Sequence, residues 1–319
     1  MSKVVICGAG FLGTNIARAI TSAPTGSPPR RIQISSRHPE KAHSILAATA
    51  QKELLLPPIS LDVTKPESLL PAFKDTSVIV SLVGLLAGTP EQFNKIQWKG
   101  AENVAKAANE VGAKLIHISA IGADVKSTIP YMRTKGLAEQ SIASICHDSI
   151  IIRPSLVFGP DDDFFNRFSR LARYLPVLPV FSGGLSRFQP VYVGDIAKAV
   201  ELLSRGDENT KHMFTCKVVE AGGPEVFTFK EMMKLVLKYN KRTRPIISLP
   251  LSVGLLQAAL MEKLPPNMFT VTKDQLQQLS MDNIVSDSMP LNHITLQQLF
   301  KDASLGPLTS VHDILPSYL

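Results

Sequence analysis

Short apolar runs alternate with longer stretches of helical periodicity through the first half of the chain. The predicted strands cover residues 4–7, 32–35, 77–83, 114–119 and 149–153, with a further short strand ending at residues 61–63. The predicted helices cover residues 13–21, 40–50, 91–111 and 131–145. Strands that alternate with helices in this way indicate a parallel sheet with helices on both faces. The pattern therefore predicts an α/β fold built on a doubly wound parallel sheet.

The pattern changes after about residue 158, where Pro, Gly and aromatic residues become frequent and helical stretches are less evenly spaced. A strand-then-helix pattern returns near residues 189–203, and we infer that the chain rejoins the first domain there. The predicted division is a first domain of residues 1–158, rejoined by about residues 187–203, and a smaller, discontinuous C-terminal domain of residues 159–186 and 204–319. We expect the smaller domain to cover the cleft of the first.

Composition narrows the class of protein. The 319 residues are 45% apolar and 19% charged, which is typical of a globular chain with a sizeable core. The 34 basic and 27 acidic side chains give a net charge of +7 without the Lys/Arg clusters of nucleic-acid readers, so no nucleic-acid partner is predicted. Three cysteines show neither paired nor metal-type spacing, which favours a reducing compartment and predicts no metal site. No apolar run reaches 18 residues, so no transmembrane helix is expected.

The first 39 residues contain five Lys and Arg residues and many Ser and Thr residues, and Glu40 is the first acid of the chain. This composition resembles a mitochondrial targeting segment. Because it overlaps the first predicted strand and helix, we expect no cleavable presequence. Two interpretations stay open, an uncleaved internal signal and a basic end that binds a cofactor.

A glycine-rich loop, Gly8-Ala-Gly10-Phe-Leu-Gly13, joins the first predicted strand to the first predicted helix. Gly8 permits a tight turn, Gly10 lets the backbone approach a pyrophosphate, and Gly13 lets helix and strand pack closely. Phe11 and Leu12 lie within the loop and are predicted to contact the cofactor, and the N-terminal N–H groups of the helix that starts at Gly13 favour an anion. Between a strand and a helix of a βαβ unit, this spacing predicts a dinucleotide site in a Rossmann-like domain.

The second predicted strand ends at Ser35-Ser36-Arg37 and is followed by no acid before Glu40. An acid at the end of this strand would accept a hydrogen bond from the ribose 2′-hydroxyl and favour NAD. Ser36 can instead donate a hydrogen bond, and Arg37 can hold a 2′-phosphate, so NADP(H) is predicted in preference to NAD(H). The alternative is a solvated arginine at the end of a strand.

Two further strand ends are expected to contact the cofactor. Asp62 and Val63 follow the third predicted strand, where the Asp62 carboxylate is placed to meet the adenine amino group. Val83 and Gly84 follow the fourth, where a small residue lets the backbone pass close to the ribose and the nicotinamide.

A Tyr131-x-x-x-Lys135 pair opens the helix that follows the fifth predicted strand, which ends at Ser119. Residues four apart share one helix face, so Tyr131 and Lys135 can converge beneath a bound nicotinamide. We expect Lys135 to hold the ribose and to lower the pKa of Tyr131, making the phenol a general acid, while Ser119 orients a carbonyl. The alternative is that the three residues bind a cofactor without turnover.

With these motifs the chain resembles the extended, atypical branch of the short-chain dehydrogenase/reductase superfamily. The supporting segments are the glycine loop, residues 100–104, Ser119 with Tyr131 and Lys135, residues 151–160 and residues 189–197. Within the superfamily it is most similar to the group that contains the NADPH-binding accessory subunit of mitochondrial complex I and a coenzyme Q biosynthesis member. That similarity rests on residues 137–139, 222–226, 273–275, 282–283 and 315–319, while Cys7 stands where the usual pattern has its first glycine.

The resemblance implies an NADP(H)-binding mitochondrial protein, on the matrix side and peripheral to the inner membrane. The function expected first is a role in or beside coenzyme Q (ubiquinone) biosynthesis, with quinone-synthesis or respiratory-complex proteins as partners. The alternative is an accessory subunit of complex I, in which NADPH stabilises an assembly without turnover. A third is a soluble NADPH-dependent reductase or epimerase.

Two segments are candidates for membrane or partner contact. Residues 164–181 combine Phe and Leu with Arg167, Arg170 and Arg173, a composition that suits an anionic membrane surface or a partner groove. Residues 249–264 are largely apolar and lie between Pro250 and Pro265. The alternative interpretation is that both segments are lids of the smaller domain.

Overall fold

The computed structural model describes residues 1–23, 28–261 and 272–319. The chain divides into two compact units. The first unit comprises Met1–Pro154, Val193–Ala221 and Asp287–Gly306, and the second comprises Ser155–Tyr192, Gly222–Ser286 and Pro307–Leu319.

The strands of the described residues are β1 (Ser2–Cys7), β2 (Arg30–Ser36), β3 (Ile59–Ser60), β4 (Val78–Ser81), β5 (Lys114–Ile118), β6 (Ile150–Pro154), β7 (Val157–Phe158), β8 (Leu178–Phe181), β9 (Arg187–Phe188), β10 (Val191–Tyr192), β11 (Val218–Ala221), β12 (Phe227–Thr228), β13 (Ile246–Leu249) and β14 (His293–Thr295).

The α-helices of the same residues are α1 (Phe11–Thr21), α2 (Glu40–Ala47), α3 (Leu69–Phe73), α4 (Pro90–Gln92), α5 (Lys99–Glu110), α6 (Pro130–Ile145), α7 (Phe164–Tyr174), α8 (Val193–Leu203), α9 (Glu208–Phe214), α10 (Phe229–Tyr239), α11 (Leu251–Met261), α12 (Lys273–Leu279), α13 (Leu296–Asp302) and α14 (Val311–Ile314). Short 3₁₀ turns occupy Lys52–Leu54, Pro66–Ser68, Ser182–Gly184 and Leu315–Ser317, and a π-helical turn occupies Phe93–Trp98.

The first unit contains an eight-stranded sheet in the order β14-β11-β6-β5-β4-β1-β2-β3, with every neighbouring pair parallel. The chain starts in the middle at β1, builds outward to β3, and then crosses to β4 on the other side of β1. This order confirms the predicted α/β class with a doubly wound parallel sheet. The reversal between β1 and β4 creates a crevice at the carboxyl ends of these two strands.

Helices cover both faces of this sheet. Val5 and Cys7 of β1 pack in a buried cluster with Ala101 and Val104 of α5. Ile6, the residue between them, points to the opposite face and approaches the glycine of α1 at position 13. Because both faces are covered, the central strands are largely apolar and do not alternate with exposed polar residues.

The helix predicted over residues 91–111 is interrupted in the structure. The chain instead forms the short α4, the π-helical turn Phe93–Trp98 and then α5. A π turn accommodates one more residue per turn than an α-helix, and here both Phe93 and Gln97 are buried. The sequence pattern did not predict the π-helical turn, because the burial of Gln97 cannot be inferred from the polar residue type at that position.

The division into units also differs from the predicted boundaries. We assigned residues 204–319 wholly to the second domain, whereas β11 and β14 extend the sheet of the first unit beyond β6. These strands have four and three residues, which is too short to produce a recognisable pattern. Their place in the sheet depends on pairing with strands that are distant in sequence.

The second unit has its own apolar core. Phe229 of α10 contacts the rings of Phe164 and Phe168 on α7, with centroids 6.1 and 5.6 Å apart. The segment predicted over residues 164–181 is helical only as far as residue 174, in α7, where Arg170 and Arg173 are exposed, and it ends in β8. The apolar segment predicted over residues 249–264 forms the end of β13 and α11 as far as residue 261, and residues 262–264 lie outside the described residues. Within the described ranges, no helix has the length and apolarity needed to span a bilayer.

A buried ion pair links β2 to α8 in the first unit. Arg30 is 1% exposed, and its guanidinium forms an ion pair with Glu201 and donates to the Glu201 carbonyl at 2.8 Å and to Ser204 Oγ at 2.7 Å. Arg205 contacts the same carboxylate at 2.7 Å. Removing one member of such a pair leaves the other charge buried without a counter-charge.

We therefore expect Glu201→Ala to lower the free energy of unfolding of the first unit by about 3–5 kcal/mol. Trp98, the single tryptophan of the chain, lies in the first unit and reports its unfolding in urea by fluorescence. The control is Glu102→Ala, which removes ion pairs to the exposed side chains of Lys99 and Lys106 and should cost about 1 kcal/mol or less. Equal losses in the two variants would contradict a special role for the buried pair.

Candidate functional site

A cleft of about 380 Å³ opens at the carboxyl ends of β1 and β4. Ligands of open α/β sheets bind at this position, outside the strand ends where the order reverses. The cleft is lined by Cys7, Gly8, residues 35–37, residues 61–64, residues 82–85, Gln92, Lys95 and Ile96. The structure therefore brings together most of the predicted cofactor residues, namely Gly8, Ser36, Arg37, Asp62, Val63, Val83 and Gly84.

Each glycine of the loop meets a different steric requirement. Gly8 has φ +143°, and its N–H donates to the Ser35 carbonyl at 2.9 Å, which ties the end of β1 to β2. A Cβ on Gly13 would lie 2.0 Å from the Gly8 carbonyl oxygen, so only glycine fits there. A Cβ on Gly10 would meet nothing within 4 Å. The space beside Gly10 is thus open to a ligand.

The N-terminus of α1 faces this open space without a protein cap. Gly10 is the N-cap residue, no side chain accepts a hydrogen bond from the first turn, and that turn contains no acid. Phe11 and Leu12, the first helical residues, are half-buried. Uncapped N–H groups and the positive end of the helix dipole suit a pyrophosphate, so the residues present fit the predicted dinucleotide.

The end of β2 presents a hydroxyl and a cation. Ser36 is half-buried, and its Oγ accepts a hydrogen bond from the His38 N–H at 3.2 Å. The Arg37 side chain is exposed, while its carbonyl accepts from Ser60 Oγ at 3.1 Å. The backbone of Arg37 is therefore fixed, and its guanidinium is available at the rim of the cleft.

The loop after β3 is held in place from two sides. Asp62 Oδ1 accepts from the Thr64 N–H and hydroxyl, both at 2.9 Å, and the N–H bond is the main reason that the pKa of Asp62 lies below its usual value. The Val63 carbonyl accepts from Asn103 Nδ2 at 2.9 Å. A Cβ on Gly100 would lie 2.7 Å from Val63 Cγ2, so this glycine lets α5 approach the loop.

Lys135 is buried beneath the ends of β4 and β5. Its Nζ donates to the carbonyl of Val83 at 3.2 Å and to the carbonyl of Ile118 at 2.9 Å. Burial lowers the pKa of Lys135 to about 8, while the Glu139 carboxylate one turn along α6 opposes this shift. A Cβ on Gly84 would lie 3.1 Å from Nζ, so Lys135 lies directly beneath the backbone at Gly84.

Tyr131 differs from the expectation. Burial raises the pKa of Tyr131 to about 12, whereas a lowered pKa was expected. The ring is half-buried and meets Phe93 edge to face, with centroids 6.0 Å apart. Within the described residues, the Tyr131 hydroxyl forms no hydrogen bond. The sequence placed Tyr131 and Lys135 on the same helix, but the lysine is bonded to backbone carbonyls that no sequence pattern reveals.

Two buried polar atoms lie near Lys135. Ser119 donates its N–H to the Ile152 carbonyl at 2.7 Å, but its Oγ is buried with no partner among the described residues. His117 Nδ1 contacts Ser81 Oγ at 3.1 Å, and its Nε2 likewise has no partner there. Burial, with a smaller effect of the Lys135 charge, holds the pKa of His117 well below its usual value. Both side chains are therefore neutral groups at the ends of the central strands.

Gln97 is a structural element of the site that sequence reasoning missed. It is fully buried on the π-helical turn, where Nε2 donates to the Tyr131 carbonyl at 2.8 Å and to Thr134 Oγ1 at 2.9 Å. Its Oε1 accepts from the Leu85 N–H at 3.2 Å. Gln97 thus joins the loop after β4 to the first turn of α6. Lys95, on the same turn, also lines the cleft without having been predicted.

The eight-stranded parallel sheet, the glycine loop at its switch point and the lysine beneath it define a protein of the Rossmann-like class. The family model for the NAD dependent epimerase/dehydratase family matches residues 4–216. The chain belongs to this family, and the resemblance to extended short-chain dehydrogenases/reductases is confirmed.

The sequence relatives include an NADH dehydrogenase subunit and a ceramide reductase. The mitochondrial NADH dehydrogenase (ubiquinone) 1 alpha subcomplex subunit 9 of Arabidopsis thaliana is 28% identical over 243 residues, covering 72% of this chain and 59% of that protein. Ceramide reductase of Caulobacter vibrioides is 32% identical over 197 residues, covering 61% of this chain and 58% of that protein. The matched regions thus span about 60% of these relatives.

The fold is also similar to solved structures over the whole chain. The Citrobacter sp. triphenylmethane reductase, solved in complex with NADP(H), superposes with a TM-score of 0.71 at 18% identity and covers all of both chains. At this identity the likeness concerns the fold alone.

Two glycine variants should separate ligand binding from folding. Gly10→Val places a branched side chain in the open space where a pyrophosphate would lie, so NADP(H) binding should be lost while Tm changes little. Gly13→Ala should lower Tm, because its Cβ would collide with the Gly8 carbonyl oxygen. Thermal unfolding followed by Trp98 fluorescence and titration with NADPH measure the two effects. Full NADPH affinity in Gly10→Val would show that the loop is not the site.

Proposed function

We propose that this chain binds NADP(H) in the cleft at the carboxyl ends of β1 and β4. The observation that carries this proposal is the open, uncapped N-terminus of α1 beside Gly10, with Arg37 exposed at the end of β2. The α1 N-terminus would hold the pyrophosphate, Ser36 and Arg37 the 2′-phosphate, and Asp62 with Val63 the adenine. Val83 and Gly84 would lie against the ribose and the nicotinamide. The bound group supplies hydride chemistry where a reaction takes place.

We further propose that the cofactor has a mainly structural role. The Lys135 ammonium already donates to two backbone carbonyls, and the phenol of Tyr131 has a raised pKa with no hydrogen bond to Lys135. An acid whose pKa lies far above the working pH is a weak proton donor in catalysis. The arrangement supports a bound nucleotide that stabilises the first unit through mass action.

The proposed setting is mitochondrial, peripheral to the inner membrane on its matrix side. A role beside respiratory complex I is favoured, because a relative is named as a mitochondrial NADH dehydrogenase (ubiquinone) subunit. Association with coenzyme Q synthesis remains the expectation drawn from the sequence resemblance, and no named relative adds to it. The exposed Arg170 and Arg173 of α7 are compatible with contact to an anionic membrane.

A second candidate function is a reductase. Ser119 Oγ, buried and without a partner among the described residues, is a free hydroxyl that can orient a carbonyl. Tyr131 and Lys135 are both present, and one relative is named as a ceramide reductase. In this case Tyr131 would donate the proton to the carbonyl oxygen, and Lys135 would hold the ribose.

Cofactor choice is tested by Arg37→Ala. Loss of a charge-assisted bond to the 2′-phosphate should weaken NADPH binding about tenfold, with little change for NADH. Isothermal titration calorimetry with both nucleotides measures the difference. The matched control is Arg31→Ala, an exposed arginine on β2 that does not line the cleft, which should keep the wild-type preference. Equal wild-type affinities for NADPH and NADH, or an unchanged preference in Arg37→Ala, would contradict the proposal.

The structural and catalytic roles predict different results for Tyr131→Phe. A structural role leaves NADPH affinity, Tm and comigration with complex I on native gels nearly unchanged, because only the hydroxyl is removed. Lys135→Ala should lower both affinity and Tm, since it removes two hydrogen bonds at the strand ends. A respiratory or quinone deficiency in cells that carry Tyr131→Phe at normal abundance would instead support the reductase.

A further inference from the structure

A second cation, Lys95, lines the proposed cofactor cleft together with Arg37. Arg37 follows β2, while Lys95 lies on the π-helical turn in the connection after β4. In the sheet β2 and β4 are the two neighbours of β1, whose carboxyl end carries Gly8. The two cations therefore reach one cleft from strands on either side of its floor.

The backbone that carries Lys95 is firmly anchored. Phe93, two residues before it, is 1% exposed and packs edge to face on the Tyr131 ring. Gln97, two residues after it, is fully buried and forms three hydrogen bonds. The side chain of Lys95 remains exposed between these anchors. A fixed backbone with a free ammonium group lowers the conformational cost of holding a ligand.

The charge of the cleft is unbalanced. Among the residues that the structure describes, no ion pair includes Arg37 or Lys95. Asp62 is the one carboxylate on the lining, and its Oδ1 already accepts two hydrogen bonds from Thr64. Two cations against one carboxylate favour an anion. A phosphate monoester carries a charge of about −1.5 to −2 at neutral pH and matches this excess.

We propose that Lys95 and Arg37 together bind the 2′-phosphate of NADP(H) in the cleft. This inference rests on the NADP(H) binding proposed above and adds a specificity-determining residue to it. The pyrophosphate is held separately, at the N-terminus of α1 beside Gly10. Lys95 therefore distinguishes NADP(H) from NAD(H) and does not serve phosphate binding in general.

The test compares ligands that differ only in the 2′-phosphate. Lys95→Ala in the full chain should weaken the binding of NADPH and of 2′,5′-ADP about tenfold and leave the binding of NADH and of 5′-AMP unchanged. Calorimetry measures all four affinities. Lys95→Arg should retain most of the preference, because it keeps the charge. The matched control is Lys99→Ala, which removes an exposed lysine one turn further along that pairs with Glu102 and does not line the cleft.

The outcomes separate this inference from the proposed function. A wild-type chain that binds no NADPH would refute NADP(H) binding itself. A wild-type preference for NADPH that Lys95→Ala leaves intact would refute only the role of Lys95. Equal weakening of NADPH and NADH would also refute it, since Lys95 would then contact the adenine or the pyrophosphate. Tm of Lys95→Ala should match that of Lys99→Ala.

Discussion

The buried ammonium of Lys135 is the interaction on which the chain beyond β4 and the end of β5 depend. Buried backbone acceptors need partners. Lys135 donates to the carbonyl of Val83, two residues after β4, and to the carbonyl of Ile118 at the end of β5, and thereby ties these two segments together. Gln97 extends this arrangement to the loop after β4 and to the first turn of α6. The floor of the cleft is held by side chains from two separate helical segments.

The contacts of Lys135 bear on the two roles proposed for the Tyr131–Lys135 pair, proton transfer in a reductase and support of a bound nucleotide. In the reductase proposed as the second candidate, Tyr131 would donate the proton and Lys135 would hold the ribose. Here the lysine is engaged with the backbone, and burial makes the phenol of Tyr131 a weaker acid. These contacts support the structural role proposed above for a bound nucleotide.

The sequence predicted the parts of the protein that depend on local pattern. Strands β1 to β6, the glycine loop and the cofactor wall at Arg37 and Asp62 follow from periodicity and from residue type at strand ends. Features that depend on contacts between distant segments could not be predicted. These are the two short outer strands β11 and β14, the π-helical turn, and the roles of Gln97 and Lys95. The raised pKa of Tyr131 belongs to the same group, because burial is a property of the folded chain.

Each unit is assembled from three separate segments of the chain, and this discontinuity affects how the protein is made on the ribosome. The first unit is built from three separate segments, and its outermost strand, β14, begins only at His293. A ribosome delivers the chain from the N-terminus, so the central strands emerge long before the edge of their sheet can be covered. Until β11 at Val218–Ala221 has been made, β6 is an unpaired edge strand, which is a template for wrong pairing. Because each unit is assembled from three separate segments of the chain, neither unit can be produced alone by simple truncation.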